Sequence, residues 1–330
     1  MPTAILRLNF IQPGLEPNEM SARYQAGLDM ANFADENGFM AVSNEEHHGA
    51  DNGWSPSPLV TAGAILARTK NVMVSISALL VPLHDPLRIA EDIAVIDLLS
   101  GGRLLVIGGL GYRPEEYAAH GKDWANRGAL MDECVSVLLQ AWTGEPFEFR
   151  GTTVRVTPKP FTQPMPMFML GGTSKAAVRR AVRFGLPISF AAPMPELMAY
   201  YYELCEAEGK QGFASMPPAG FSHHFIAEDP DKAWAEIGHH LLHEATTYGA
   251  WQTKDIKSAV HSHAQTTEQL RAEGIYRIIT PDEAIAEAKA GGPDFAFAFH
   301  PLCGGMPIDR GWEFLQIYAD KVKPALASSS

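Results

Sequence analysis

The sequence predicts an α/β fold, a single (β/α)8 TIM barrel over residues 1–330. Three observations predict it. Apolar runs of strand character alternate with amphipathic helical segments from end to end, which implies a parallel sheet. The strands read this way reach eight, the number that closes a barrel. The length of 330 residues suits one such domain, since these barrels run from about 250 residues upward. An open doubly wound sheet is the rival, but no Gly-x-Gly-x-x-Gly opens the first helix.

The elements follow in order. Ala4–Ile11 reads as the first strand and Asn18–Glu36 as a helix, with Met20, Tyr24, Leu28 and Ala31 at helical spacing. Phe39–Ser43 is the second strand. Pro56–Arg68 is a helix with a proline in its first turn and Ser55 as its cap. Val72–Val81 is nearly all apolar or small, as a strand buried on both faces requires. Pro86–Leu99 is helical, Ser100-Gly101-Gly102 turns the chain, and Arg103–Ile107 opens the fourth strand. Arg127–Trp142 carries Met131, Val135, Leu138, Leu139 and Trp142 on one helical stripe.

Glu145–Thr157 is polar and turn-rich, a short β excursion. Met165–Leu170 is the fifth strand and Ser174–Phe184 the fifth helix. Leu186–Ala191 and Gly220–Ala227 are the sixth and seventh strands, with a helix over Glu196–Glu208 between them. Phe295–His300 is the eighth, followed by a last helix over Arg310–Val322. Gly249–Gln269 does not fit the repeat. It is long, polar and interrupted, and reads as an active-site lid after the seventh strand.

Composition narrows the function. Hydrophobic residues make up 46% and charged residues 19%, enough for a sizeable core. A formal net charge of −12 argues against nucleic acid as a partner. Cys134, Cys205 and Cys303 are odd in number and far apart, so neither a disulfide framework nor a metal site is indicated and a cytoplasmic setting is expected. No stretch is apolar for long enough to span a membrane, and the start of the chain lacks the form of a signal peptide. Ser328–Ser330 reads as a frayed end.

Chemistry is expected where strands end, because ligands collect at the carboxyl ends of a parallel sheet. Glu46-His47-His48 stands just past the second strand with Glu45 alongside, and imidazoles there titrate near neutral pH. A helix cap or surface ion pair is the alternative. Gly171-Gly172-Thr173-Ser174 follows the fifth strand and opens a helix, with Lys175, Arg179 and Arg180 nearby. Glycines and hydroxyls at a helix start favour an anion such as a phosphate, although Ser and Thr also cap ordinary helices. Gly108, Gly109 and Gly111 lie at the end of the fourth strand beside Tyr112, where a flat ring can approach backbone or a tight turn can form. Arg88, Glu91 and Asp92 read as a solvated ion pair, and His223, His224, His239, His240, His243, His261 and His263 as ordinary histidines without metal-ligand spacing.

Taken together, certain stretches resemble the bacterial luciferase-like flavin monooxygenase family. They are Glu46-His47-His48, Pro82–Pro86 with Arg88, Ala90, Glu91 and Asp92, Asp97–Arg103, Gly109–Glu116 and Leu170–Ser174. The resemblance implies a homodimeric TIM barrel that binds reduced FMN and O2 and oxygenates a small apolar organic substrate, with a separate flavin reductase as partner. It assigns His47 and Glu46 to catalysis. It assigns Ser77, Ala78, Gly109, Tyr112, Gly171, Gly172, Thr173 and Ser174 to the flavin, with a cis peptide joining Ser77 and Ala78. Gly109 and Leu110 stand where luciferase itself has a reactive cysteine and a phosphate-binding arginine. Light emission is therefore not implied, and the phosphate charge falls to Arg179 or Arg180. Phe10, Trp54, Met194 and Phe299 are expected near an apolar pocket. A deazaflavin-dependent hydride transferase and a non-catalytic flavin-binding protein are the alternatives.

Overall fold

The computed structural model describes residues 2–252 and 256–327. The expected frayed end Ser328–Ser330 and residues 253–255 of the expected lid lie outside the described residues.

Twelve strands are present among the described residues: β1 (Thr3–Arg7), β2 (Ala41–Asn44), β3 (Met73–Leu80), β4 (Leu104–Gly109), β5 (Phe147–Phe149), β6 (Thr152–Val154), β7 (Met167–Gly171), β8 (Ile188–Ser189), β9 (Ala214–Ser215), β10 (His223–Ile226), β11 (Tyr276–Ile279) and β12 (Ala296–Phe299). Ten form one parallel sheet in the order β11-β10-β12-β1-β2-β3-β4-β7-β8-β9, while β5 and β6 make a separate antiparallel hairpin, the expected excursion. Register aligns apolar residues across neighbours: Leu6 with Phe299 and Val42, Val42 with Val74, Val74 with Leu104, Val106 with Phe168. All of these are buried, as strands covered on both faces require.

The sheet wraps as a barrel. Its two edges, β9 and β11, come near each other, since Pro218, just after β9, and Gly274 and Ile275, just before β11, line one small cleft. The eight expected strands are all present. Two more, β9 with two residues and β11 with four, were not expected from the sequence. With β11 comes the helix Pro281–Gly291, closed by a reciprocal capping box of Thr280 and Glu283.

Buried polar side chains fix the connections that present the strand ends. The Asp35 carboxylate accepts from the backbone N–H groups of Lys70, Asn71 and Val72 at 2.6–2.9 Å, anchoring the approach to β3. Arg103 donates to the carbonyls of Leu66, Thr69 and Val72, closing the last turn of the helix Pro58–Arg68. Asp97 accepts from the backbone and hydroxyl of Thr162, tying the helix Pro86–Ser100 to the loop before β7. Ser55 is not the cap expected of it. The helix begins at Pro58 behind Ser57, and Ser55 is buried where its backbone joins the β1 and β2 exits: its N–H donates to Asn9 and its carbonyl accepts from His47.

No helix among the described residues is long and apolar enough to cross a membrane. The three cysteines are buried and unpaired.

Candidate functional site

A cavity of about 900 Å³ opens at the carboxyl ends of β1–β4, β7 and β8. Its wall contains the residues the resemblance assigns to catalysis and to the flavin: Glu46 and His47 after β2, Ser77 and Ala78 in β3, Gly109 and Tyr112 at the end of β4, and Gly171, Gly172, Thr173 and Ser174 after β7. Residues 256–258 of the expected lid segment line it as well. The apolar candidates do not. Phe10, Trp54 and Phe299 are buried in packing, Phe10 stacked on Tyr24, and Met194 rests against the core. Large side chains at strand ends are drawn into packing more readily than into an open cavity.

The two carboxylates after β2 face opposite neighbours. Glu46 Oε1 accepts from His48 Nε2 at 2.8 Å and His84 Nε2 at 2.7 Å, and its Oε2 accepts from the Leu80 N–H at 2.5 Å. Burial alone would push this carboxyl up. The donations from His48 and His84 outweigh it and hold the group at about 2. Glu45 turns toward β1. Its carboxylate takes both arms of Arg7, at 2.7 and 3.0 Å, and the Trp54 indole N–H at 2.9 Å.

Arg7 reaches past Glu45 into a second buried network. It donates to Glu244 Oε1 at 3.2 Å, and Glu244 also accepts from Asn9, from the Gly304 N–H and from the Cys303 thiol, with His300 Nε2 at 2.9 Å. Burial penalises the Glu244 charge, but His300 and Arg7 overcome that and hold its carboxyl well down. Glu244, His300 and Cys303 offer ligand atoms within 4.8 Å of one another. The Arg7 cation and the N–H donors already occupy the carboxylate oxygens, so the cluster is built as a buried ion pair. Sequence reasoning missed it because its members are scattered over the chain. Asn9, two residues past the end of β1, is among the members near a strand end in the sequence.

His47 sits among rings. Trp54, Tyr112, Tyr248 and Trp251 lie with centroids 5.0–6.1 Å from its own, the last two supplied by the final turns of the helix Pro230–Trp251. Arg113 stacks over Trp251 at 4.2 Å. His47 Nδ1 is buried without a hydrogen-bond partner and lies 3.5 Å from Glu116 Oε1, an oxygen that already accepts from Arg113 and the His48 N–H. Tyr112 Oη is likewise buried and unpartnered.

The Ser77–Ala78 peptide is cis. Beside it Gly109 has no room for a side chain, since a Cβ there would lie 2.7 Å from Ala78 Cβ. Further along the wall Ser174 caps the helix Lys175–Phe184, its Oγ accepting from the Ala177 N–H. Arg180 lines the cavity but is bound to Asp132 at 2.5 Å, and Arg179 is exposed and off the wall. Arg127, not singled out by the sequence, lines the same end. It stacks on Trp124 and donates to the Trp124 carbonyl, with no carboxylate partner among the described residues.

Comparison with known proteins gives a consistent result. The family model described as luciferase-like monooxygenase matches residues 1–300. The chain is similar to the alkanal monooxygenase beta chain of Vibrio harveyi, 28% identical over 198 residues that cover 55% of this chain and 59% of that one. The match thus spans little more than half the length of that curated relative. A solved monooxygenase from Streptomyces bottropensis is 25% identical with a TM-score of 0.75, covering 98% of this chain and 99% of that one. An F420-dependent secondary alcohol dehydrogenase, solved with an F420–acetone adduct, shares the fold at a TM-score of 0.65 and 19% identity, covering 99% of each chain.

Proposed function

The chain belongs to the luciferase-like monooxygenase family, and from that premise we propose that it is the oxygenase component of a two-component system that uses reduced FMN and O2 on a small apolar organic substrate. The observation that carries the reading is the cavity itself: a slot faced by the cis Ser77–Ala78 peptide and side-chain-free Gly109, with His47 on one side and Gly171–Ser174 on the other. A planar ring fits a wall from which a Cβ is excluded. The dianionic end of FMN fits the helix start at Ser174 and the Arg127 guanidinium. When bound, reduced flavin supplies the electrons that activate O2.

The protein's own residues then have distinct tasks. Ser77, Ala78, Gly109 and Tyr112 shape the ring site, and Gly171, Gly172, Thr173, Ser174 and Arg127 hold the phosphate. His47 is the group that holds or moves a proton next to the reacting atoms, its buried Nδ1 having only a long 3.5 Å contact with the shared Glu116 carboxylate. Glu46 acts as a positioning residue, since its three donors leave it committed to β3 and His84. Trp54, Tyr248 and Trp251 screen His47 from water. A separate reductase delivers the reduced flavin. The protein pairs with a second copy through Val60, Val95, Leu98 and Leu99, apolar residues left exposed on two adjacent helices.

Hydride transfer with a deazaflavin is the second reading, favoured by the shared fold of the F420-dependent enzyme. Anaerobic titration of the protein with reduced FMN and with reduced F420, followed by air, decides. Tighter binding of reduced FMN, with reoxidation slower than that of the free flavin, is expected. Preference for F420 with no oxygen uptake would overturn the oxygenase reading, and binding of neither would overturn both.

A further inference from the structure

We propose that Glu244 is a positioning residue for His47, acting from outside the cavity through the buried groups that join it to the wall around that imidazole. The kinetic half of the inference rests on the flavin reading above, and the geometric half does not.

Glu244 is not part of the cavity wall. It is 1% exposed and still an anion: burial penalises the charge, and His300 and Arg7 overcome that penalty. A carboxylate so buried is retained only where donors surround it. Its oxygens divide those donors. Oε1 accepts from Arg7 on β1, and Oε2 accepts from Asn9 after β1 and from the Gly304 N–H after β12. One side chain of the helix Pro230–Trp251 thus ties that helix to two strand ends.

Three routes lead from Glu244 to His47. The first reaches its backbone. Asn9 Nδ2 donates to Glu244 at 2.6 Å, the Asn9 carbonyl accepts from the Ser55 N–H at 2.9 Å, and the Ser55 carbonyl accepts from the His47 N–H at 3.0 Å. The second reaches its ring. Arg7 lies between Glu244 and Glu45, and Glu45 takes the indole N–H of Trp54, whose ring meets His47 edge-on at 5.3 Å and 81°. The third is the helix itself. Glu244, Tyr248 and Trp251 are spaced by four and then three residues, so they share one helix face. The Tyr248 and Trp251 rings stand 6.1 and 5.0 Å from that of His47. The imidazole has only a long contact with Glu116 of its own, so packing holds it, and Glu244 holds the packing. Because both oxygens face donors, an amide at this position must turn its NH2 toward Arg7 or toward Asn9 and Gly304, and either choice breaks a route.

The test compares Glu244→Gln with the unaltered protein, first without cofactor and then loaded with FMN. In the cofactor-free protein, labelled histidine and tryptophan are read by NMR, with His47→Gln and Trp54→Phe identifying the signals. The His47 ring and Trp54 indole N–H signals are expected to shift in Glu244→Gln. Ile93→Val removes packing from the helix Pro86–Ser100, outside this network, and should lower stability without moving either signal. In the loaded protein, air should reoxidise the reduced flavin roughly 3–30-fold faster as the screen around His47 loosens, with FMN affinity unchanged. Trp54→Phe should give part of that change, and Glu244→Gln should then add less to it, since members of one network do not act additively. Unmoved His47 and Trp54 signals, or additive effects in the double variant, would overturn the positioning role. So would a loss of FMN affinity as large as the change in rate. If Glu244→Gln does not fold, Trp54→Phe decides by itself: an unmoved His47 signal and an unmoved rate overturn the proposal, and a shift in both supports it. Failure of the unaltered protein to take up FMN would refute the flavin reading and leave the NMR comparison standing.

Discussion

Replacing Glu46 by Gln isolates what one buried carboxylate contributes. The amide keeps the shape but mimics the protonated acid. It must turn its NH2 either toward the Leu80 N–H or toward the two imidazoles that now donate to Oε1. Holding the carboxyl at about 2 rather than near 4.5 corresponds to roughly 3 kcal/mol of stabilisation at neutral pH. The folded-state value lies below the unfolded one. The contribution is therefore complete above about pH 4.5 and drains away as pH falls toward 2. Urea unfolding followed by tryptophan fluorescence and by circular dichroism, with coincident transitions as the check on two-state behaviour, should show Glu46→Gln less stable by about 3 kcal/mol at pH 7. Because an unpaired proton-linked group changes stability by at most ~1.4 kcal/mol per pH unit, the gap should shrink to about 2 kcal/mol near pH 3.5. A gap under about 1 kcal/mol at pH 7, or one that does not move with pH, would refute the reasoning.

His47→Ala should lower turnover by roughly 10²–10⁴-fold while FMN affinity, read by fluorescence quenching, changes only a few-fold. Arg127→Met should weaken FMN about 10–100-fold and leave riboflavin affinity unchanged, since the lost contact is a charge-assisted one to phosphate; equal losses for both would remove Arg127 from the phosphate site. Gly109→Ala places a Cβ 2.7 Å from Ala78 Cβ, so it should cost about 1–3 kcal/mol in urea unfolding and reduce FMN uptake. Leu99→Glu alters a side chain 72% exposed in the single chain. It should split the proposed dimer in sedimentation velocity while the secondary structure of the separated chains is kept; a chain that sediments as a monomer before the substitution would refute the pairing.

How much of this was legible in the sequence depends on where each signal resides. Strands covered on both faces announce themselves through continuous apolar runs, which is why Val72–Val81 matched β3 (Met73–Leu80) so closely. Ala214–Ser215 and Tyr276–Ile279 carry no such run, and only pairing with β8 and β10 makes strands of them. Ser55 shows the limit for caps. A serine ahead of a proline-led helix has the right composition, but tertiary contacts from Asn9 and His47 claimed its backbone, and the helix started three residues later.

At the site, backbone-led features were legible and charge-led ones were not. Gly109, Gly111, Gly171, Gly172, the Ser77–Ala78 pair and the Glu46-His47 pair are local in sequence, and all of them line the cavity. The role of each carboxylate was not local. Glu45 and Glu46 are adjacent residues of one type, yet one is held by Arg7 on β1 and the other by Leu80 at the end of β3 and His84 just past it. Leaving a central strand, successive side chains point to opposite sides, so neighbours in sequence meet different partners. That division has a chemical consequence. Both anions nearest His47 in sequence are neutralised by donors of their own, and Glu116, the carboxylate within 3.5 Å of its ring, is shared with Arg113 and the His48 N–H. The imidazole is thus left in an aromatic surround, with Nδ1 in only a long 3.5 Å contact with that shared carboxylate. A His47 held in that way can exchange a proton with a bound molecule without first giving up a strong partner. If a variant that frees a carboxylate for it, such as Arg113→Met releasing Glu116, left the pH profile of turnover where it was, this account of the site's charge arrangement would fail.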